Sequence, residues 1–119
     1  MAHCRMISNV IVEDNQFLNL PHTAQSLYLQ LLINADDEGF VMNAKHVAKR
    51  SRLTKKILNI LSEHDYIIYF EETDVALIKH WYKHNRLKSV KKSYCVREKS
   101  QVCLVDNCYT LSTELVDKS

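Results

Sequence analysis

One glycine, Gly39, and one proline, Pro21, are all that 119 residues supply for tight backbone work. Glycine takes a positive φ without steric cost, and proline pre-sets a turn. A chain so short of both is a poor match for a many-turned all-β architecture, a collagen-like repeat or a linker-rich protein. The same scarcity excludes the phosphate and nucleophile motifs that need several glycines: Gly-x-Gly-x-x-Gly, the P-loop and the Gly-x-Ser-x-Gly elbow. With 46% hydrophobic and 25% charged residues, the chain is long enough to close one core, and the expected class is α+β, mainly helical.

Hydrophobic spacing places the elements. Residues 4–7 read as a short extended arm and residues 10–20 as a short helix. Ala24, Leu27, Tyr28, Leu31, Leu32 and Ala35 recur at i, i+3, i+4, i+7, i+8 and i+11. That is one apolar face of a helix over roughly 21–35, with Pro21 at its first position, where a missing N–H is harmless. Asp36-Asp37-Glu38-Gly39 ends it, and Phe40-Val41-Met42 is a very short strand. Asn43 is placed to cap a helix over 44–50, Ser51-Arg52-Leu53 to turn, and Thr54 to cap a helix over about 55–64. The latter turns Ile57, Leu58 and Leu61 inward and Lys55, Lys56, Asn59, Ser62 and Glu63 outward. Residues 66–70 and 75–81 are strongly β-forming around the polar loop Glu71-Glu72-Thr73-Asp74. Helix, strand, helix, turn, helix, strand, loop, strand is the order of a winged helix-turn-helix. The expected organisation is such a domain over 1–82, with a basic C-terminal extension over 83–119 packed on or flanking it. Within the extension, residues 101–111 read as a hairpin around Asp106-Asn107 and residues 112–119 as a frayed tail.

The net charge of +2 conceals a strong segregation. Lys45, Lys49, Arg50, Arg52, Lys55 and Lys56 fall within residues 45–56 without an acid. Residues 79–99 hold eight bases against Glu98 alone. The two blocks carry +6 and +7, and the remainder −11. Segregation of this kind is the electrostatic signature of a polyanion partner. In a helix-turn-helix the second helix of the motif enters the major groove, so Lys55, Lys56 and Asn59 become candidate base readers, with Arg50, Arg52 and Thr54 beside them. Lys45 and Lys49 are candidate phosphate contacts, and so are Lys83, Arg86, Lys88, Lys91 and Lys92 in the extension. The loop 71–74 carries three carboxylates and no base, so it is expected to point away from a phosphate backbone or to meet a protein.

Other signals carry less. The start of the chain has no apolar stretch of signal-peptide type, and no apolar run is long enough to span a membrane. Reduced thiols are therefore expected at Cys4, Cys95, Cys103 and Cys108, in a cytoplasmic setting. His80 and His84 have the i, i+4 spacing of helix-borne metal ligands, but His80 is predicted to lie in a strand. Asp36-Asp37-Glu38 reads as a solvated helix end. Trp81 reads as core, and Tyr82, on the opposite side, as the better base-stacking candidate. No nucleophile, base and carboxylate set converges, so neither an enzyme, a metal nor a cofactor is expected.

Several strings together carry a resemblance. They are Arg5-Met6, Phe17-Leu18, Ala24-Gln25-Ser26-Leu27-Tyr28, Ala35-Asp36-Asp37-Glu38-Gly39-Phe40-Val41 and Ile78-Lys79-His80-Trp81. Asn85, Glu98-Lys99-Ser100-Gln101 and Tyr109-Thr110-Leu111 extend them. Over roughly residues 5–111 the chain resembles the N-terminal domain of phage replisome organisers. The resemblance implies a winged-helix, DNA-binding domain of a phage or prophage replication initiator, related in role to DnaD-like primosomal proteins. It also implies double-stranded origin DNA as a partner, with a replicative helicase or helicase loader as a second. The chain departs from the family pattern after Asn85, where Ser89-Val90-Lys91-Lys92-Ser93-Tyr94 replaces a proline-containing stretch. The family's C-terminal helical region has no counterpart within these residues. Two alternatives stand beside this one: a stand-alone interaction protein that inhibits or adapts a host protein or nucleoprotein complex, and a transcriptional repressor. A homo-oligomer is compatible with each.

Overall fold

The computed structural model describes residues 7–84, 95–105 and 108–112. Two single helical turns, α1 (Asn9–Val12) and α2 (Asn15–Leu18), lead into α3 (His22–Asn34). The inner face of α3 is the one its spacing predicts: Ala24, Leu27, Tyr28, Leu31 and Leu32 are all buried. Pro21 sits one position earlier than expected. It is the residue before the first helical turn, with ψ 145°, and its carbonyl accepts the Ala24 and Gln25 N–H groups.

Next come β1 (Phe40–Met42), α4 (Ala44–Arg50), α5 (Lys55–Glu63), β2 (Ile67–Phe70) and β3 (Val75–Ile78). The three strands form one antiparallel sheet in the order β1-β3-β2. β3 is central and buried along its whole length, which its unbroken Val-Ala-Leu-Ile run matches. Both β-forming runs are shorter than the sequence predicts. Tyr66 lies in the turn that ends α5, donating its N–H to the Leu61 carbonyl. After Ile78 the chain leaves the sheet, with the Ile78 N–H donating to the Gly39 carbonyl and the Lys79 N–H to the Tyr66 carbonyl as the last bonds to its neighbours. Residues 79–80 turn, and Trp81 starts a helical turn, α6 (Trp81–His84), rather than ending a strand.

The remainder is α7 (Val96–Lys99) and a second antiparallel pair, β4 (Val102–Val105) and β5 (Cys108–Leu111). This hairpin is the one expected around residues 106–107, which themselves lie outside the described residues, as do 113–119. It is tied to the first sheet at two points. The Tyr109 N–H donates to the Lys79 carbonyl at 2.9 Å, and the Tyr109 hydroxyl to the Glu38 carbonyl at 2.8 Å. Cys95 is buried, Cys103 and Cys108 are half-buried, and all three are free thiols. In the register Cys103 faces Thr110 and Cys108 faces Val105, so the hairpin does not pair the two sulfurs.

The single glycine is where the core is tightest. Gly39 has φ +94°, and a Cβ there would lie 2.7 Å from Cγ of the fully buried Trp81. The indole is also pinned, its Nε1–H donating to the Asp37 carbonyl at 2.9 Å. Beneath α3, the rings of Phe17, Tyr28 and Tyr66 meet edge-on in a triangle with centroids 5.4–5.6 Å apart. His84 closes this cluster. Its Nδ1 accepts the Ser8 N–H, so its Nε2 carries the proton in the neutral ring and faces the Tyr28 hydroxyl at 2.8 Å. Burial, and then the nearby His80, lower its pKa to about 4. His84 is thus a core residue rather than part of an exposed basic extension. Both ring nitrogens are engaged, which is why the His80/His84 spacing makes no metal pair. Among the described residues no group of three or more metal-ligating side chains converges. No helix there is long and apolar enough to cross a membrane.

Two outcomes follow. Gly39→Ala forces a Cβ into a left-handed backbone and against an indole that has nowhere to go. It is expected to cost about 2–4 kcal/mol in a urea titration. For His84, the unfolded ring takes up its proton near pH 6.5 and the folded one near 4. Between those values the unfolded chain holds more protons, so stability falls as pH drops from 6.5 to 4 and levels off below. His84→Gln, which can still accept from Ser8 and donate to Tyr28, is expected to flatten that part of the stability–pH curve. In NMR the His84 ring should show no titration near pH 6.

Candidate nucleic-acid interface

The first basic block is carried by α4, the turn 51–54 and α5. Each helix places its apolar residues inward, Ala44, Val47 and Ala48 on α4 and Leu58 and Leu61 on α5. Periodicity then leaves Lys45, Lys49, Arg50, Lys55 and Lys56 exposed, with Arg52 and Thr54 exposed on the turn between them. Asn59 is half-buried. Lys49 and Arg50 occupy the last turn of α4, where the negative end of the helix dipole favours cations.

The caps differ from the sequence expectation. Asn43 stands at the start of α4, but in the left-handed region (φ 56°), and its side chain makes no cap bond. Thr54 stands at the start of α5 in extended geometry, also without a side-chain cap bond. The cap of α4 comes from across the fold. The Asp74 carbonyl accepts the Ala44 N–H at 3.0 Å, and its carboxylate accepts the Lys45 N–H at 3.0 Å. The same carboxylate accepts the Tyr69 hydroxyl at 2.6 Å. Burial, and then this bond, raise the Tyr69 pKa, so the phenol keeps its proton.

The acidic loop is anchored within the chain at two points, and Glu71, Glu72 and Thr73 remain exposed. Asp74 bolts it to α4, and Glu71 reaches Lys55 on α5 at 2.9 Å. Arg50 is also engaged within the chain, donating from Nη2 to Asn34 Oδ1 at 2.9 Å. Among the described residues, the side chains of Lys45, Lys49, Arg52 and Lys56 make no ion pair, and they remain as free cations of this surface.

Of the second block, the described basic side chains are those of Lys79, Arg97 and Lys99. Lys79 pairs with Asp65 at 3.6 Å and Lys99 with the buried Glu38 at 2.7 Å. The hydrogen bond to Glu38 is the main reason the Lys99 pKa rises. Arg97 lines a hollow with Glu71 and Glu72. Lys83 lies on α6, and its side chain is outside the described residues, as are Arg86, Lys88, Lys91 and Lys92. Tyr82 is no open stacking platform: it is half-buried, its ring 5.8 Å from that of Tyr109. Trp81 is core, as predicted.

No protein-family model, curated protein or solved structure matches this chain.

The two acids of the loop are expected to behave differently. Asp74→Ala removes a helix cap and a half-buried phenol's acceptor, and should cost about 2 kcal/mol in chemical denaturation. Glu71→Gln breaks an exposed ion pair and should stay within about 0.5 kcal/mol of the parent. A large loss in the second variant would mean that the loop is held by Glu71 rather than by Asp74.

Proposed function

We propose that the chain is a winged helix-turn-helix that binds double-stranded DNA through α4, the turn 51–54 and α5. One observation carries the reading: Lys45, Lys49, Arg52 and Lys56 are exposed on two adjacent helices and their connection, and make no ion pair among the described residues. The element order and the pairing of β1 onto β3 support the fold assignment. Lys56 and Asn59 are the nearest candidates for base edges, whereas Lys45, Lys49 and Arg52 suit phosphates. The setting, initiation of phage DNA replication at an origin, rests on the sequence resemblance alone. So does a helicase or helicase loader as a second partner. The acidic loop, folded against α5 by Glu71, favours one alternative over the repressor: a protein partner that docks on the carboxylate side.

Binding through this surface and the basic extension neutralises six to ten phosphates. The logarithm of affinity should then fall with the logarithm of salt at a slope of roughly −5 to −9. Lys55→Ala with Lys56→Ala should weaken binding to origin DNA most, and Lys91→Ala with Lys92→Ala should weaken all sequences alike. Electrophoretic shifts across a salt series measure both. A flat salt dependence, or tight capture of a host protein that survives nuclease and the loss of these lysines, overturns the DNA reading in favour of the interaction protein.

A further inference from the structure

Helix α4 ends in a motif with a strong residue preference. Beyond the last helical residue, Arg50, Ser51 is the half-helical cap. The Arg52 N–H then donates to the Lys49 carbonyl at 2.9 Å, and the Leu53 N–H to the Ala48 carbonyl at 2.8 Å. This pair of reversed bonds is a Schellman ending, and it requires the residue at position 52 to be left-handed. Arg52 has φ 60°. Glycine is the usual occupant, because any Cβ in that region crowds the following carbonyl.

The comparison within the molecule is direct. Five described residues have positive φ: Gly39, Asn43, Arg52, Asp65 and Asp74. Four are glycine, asparagine or aspartate, the types that tolerate this region. Helix α5 ends by the same two bonds, Asp65 N–H to Ser62 and Tyr66 N–H to Leu61, and there the left-handed residue is the tolerant Asp65. Arg52 alone is of a type the backbone disfavours. Its side chain gives nothing back to the fold: it is exposed and makes no hydrogen bond or ion pair among the described residues. Its basic neighbours differ, since Arg50 is held by Asn34 and Lys55 by Glu71. A backbone outlier with no local compensation points to a use for the side chain.

We infer that Arg52 is a phosphate clamp: a guanidinium kept at a helix-terminating position that glycine or asparagine would fill at lower energy, so that it can grip a DNA backbone phosphate between α4 and α5. The inference rests on the duplex-DNA reading above and names the residue most committed to it. Phosphate is the fitting target, because Arg52 is exposed in the turn that ends α4, three positions before the first residue of α5. A planar guanidinium can hold two phosphate oxygens at once, which an ammonium cannot.

The test compares Arg52→Gly, Arg52→Asn and Arg52→Lys in thermal melts and in duplex binding across a salt series. Gly and Asn keep the Arg52 N–H bond and relieve the backbone, so both are expected to raise Tm by about 3 °C. Both should weaken duplex binding roughly 5- to 30-fold at low salt and make the salt slope shallower by about 1. Arg52→Lys keeps the strain and the charge, so it should melt with the parent and bind between the two. A Tm that falls in both Gly and Asn variants overturns the inference, because Arg52 would then serve the fold. Affinity within twofold of the parent in those variants overturns it as well. If the parent protein itself binds no duplex at any salt, the DNA reading fails first. A parent that binds, with Arg52 variants that bind equally, removes only the clamp.

Discussion

Trp81 packs on Gly39 with no room for a Cβ between them, and most of the fold is arranged around that contact. The glycine lets the chain pass from α3 into β1 under the indole. The indole, bonded to the Asp37 carbonyl, starts the helical turn that takes the chain out of the sheet. The same 36–39 turn receives the second hairpin, through Tyr109 on the Glu38 carbonyl and Lys99 on the Glu38 carboxylate. One small residue thus joins the N-terminal helices, the sheet and the C-terminal segment, because only there can two pieces of backbone and a large ring come so close.

Glycine scarcity misleads in one respect. It suggests few reversals, yet the structure makes left-handed turns at Asn43, Arg52, Asp65 and Asp74 as well. Three use residues whose short polar side chains make the conformation tolerable, so the sequence hides these turns in Asn and Asp rather than omitting them. Arg52 is the exception, and no compositional count distinguishes an arginine on a helix from one that terminates it.

The candidate surface was partly legible. The alternation that buries Val47, Ala48, Leu58 and Leu61 necessarily exposes the lysines between them, so Lys45, Lys49, Lys55 and Lys56 could be placed from spacing alone. Which charges stay free could not. Lys55 meets Glu71, Lys79 meets Asp65 and Lys99 meets Glu38 across 16, 14 and 61 residues of chain, and no local pattern encodes such pairs. The cap of α4 has the same character. Asn43 has the right identity in the right place, yet Asp74 does the work, because the antiparallel pairing of β1 with β3 sets that loop beside the helix start.

What the sequence determined by itself is the order and inner faces of the main elements: the α3 stripe, the three short strands, two helices joined by a turn, and a second hairpin, but not the split of residues 10–20 into α1 and α2 or the turns α6 and α7. Periodicity and β-propensity are local, and they act on the segment that carries them. Tertiary structure decided the rest: the anchoring of the acidic loop to α4 through Asp74, the burial of His84 against Tyr28, and the left-handed arginine between α4 and α5. Each depends on groups far apart in the chain being brought within a few ångströms, where burial, hydrogen bonding and steric exclusion outweigh the preferences of any single residue.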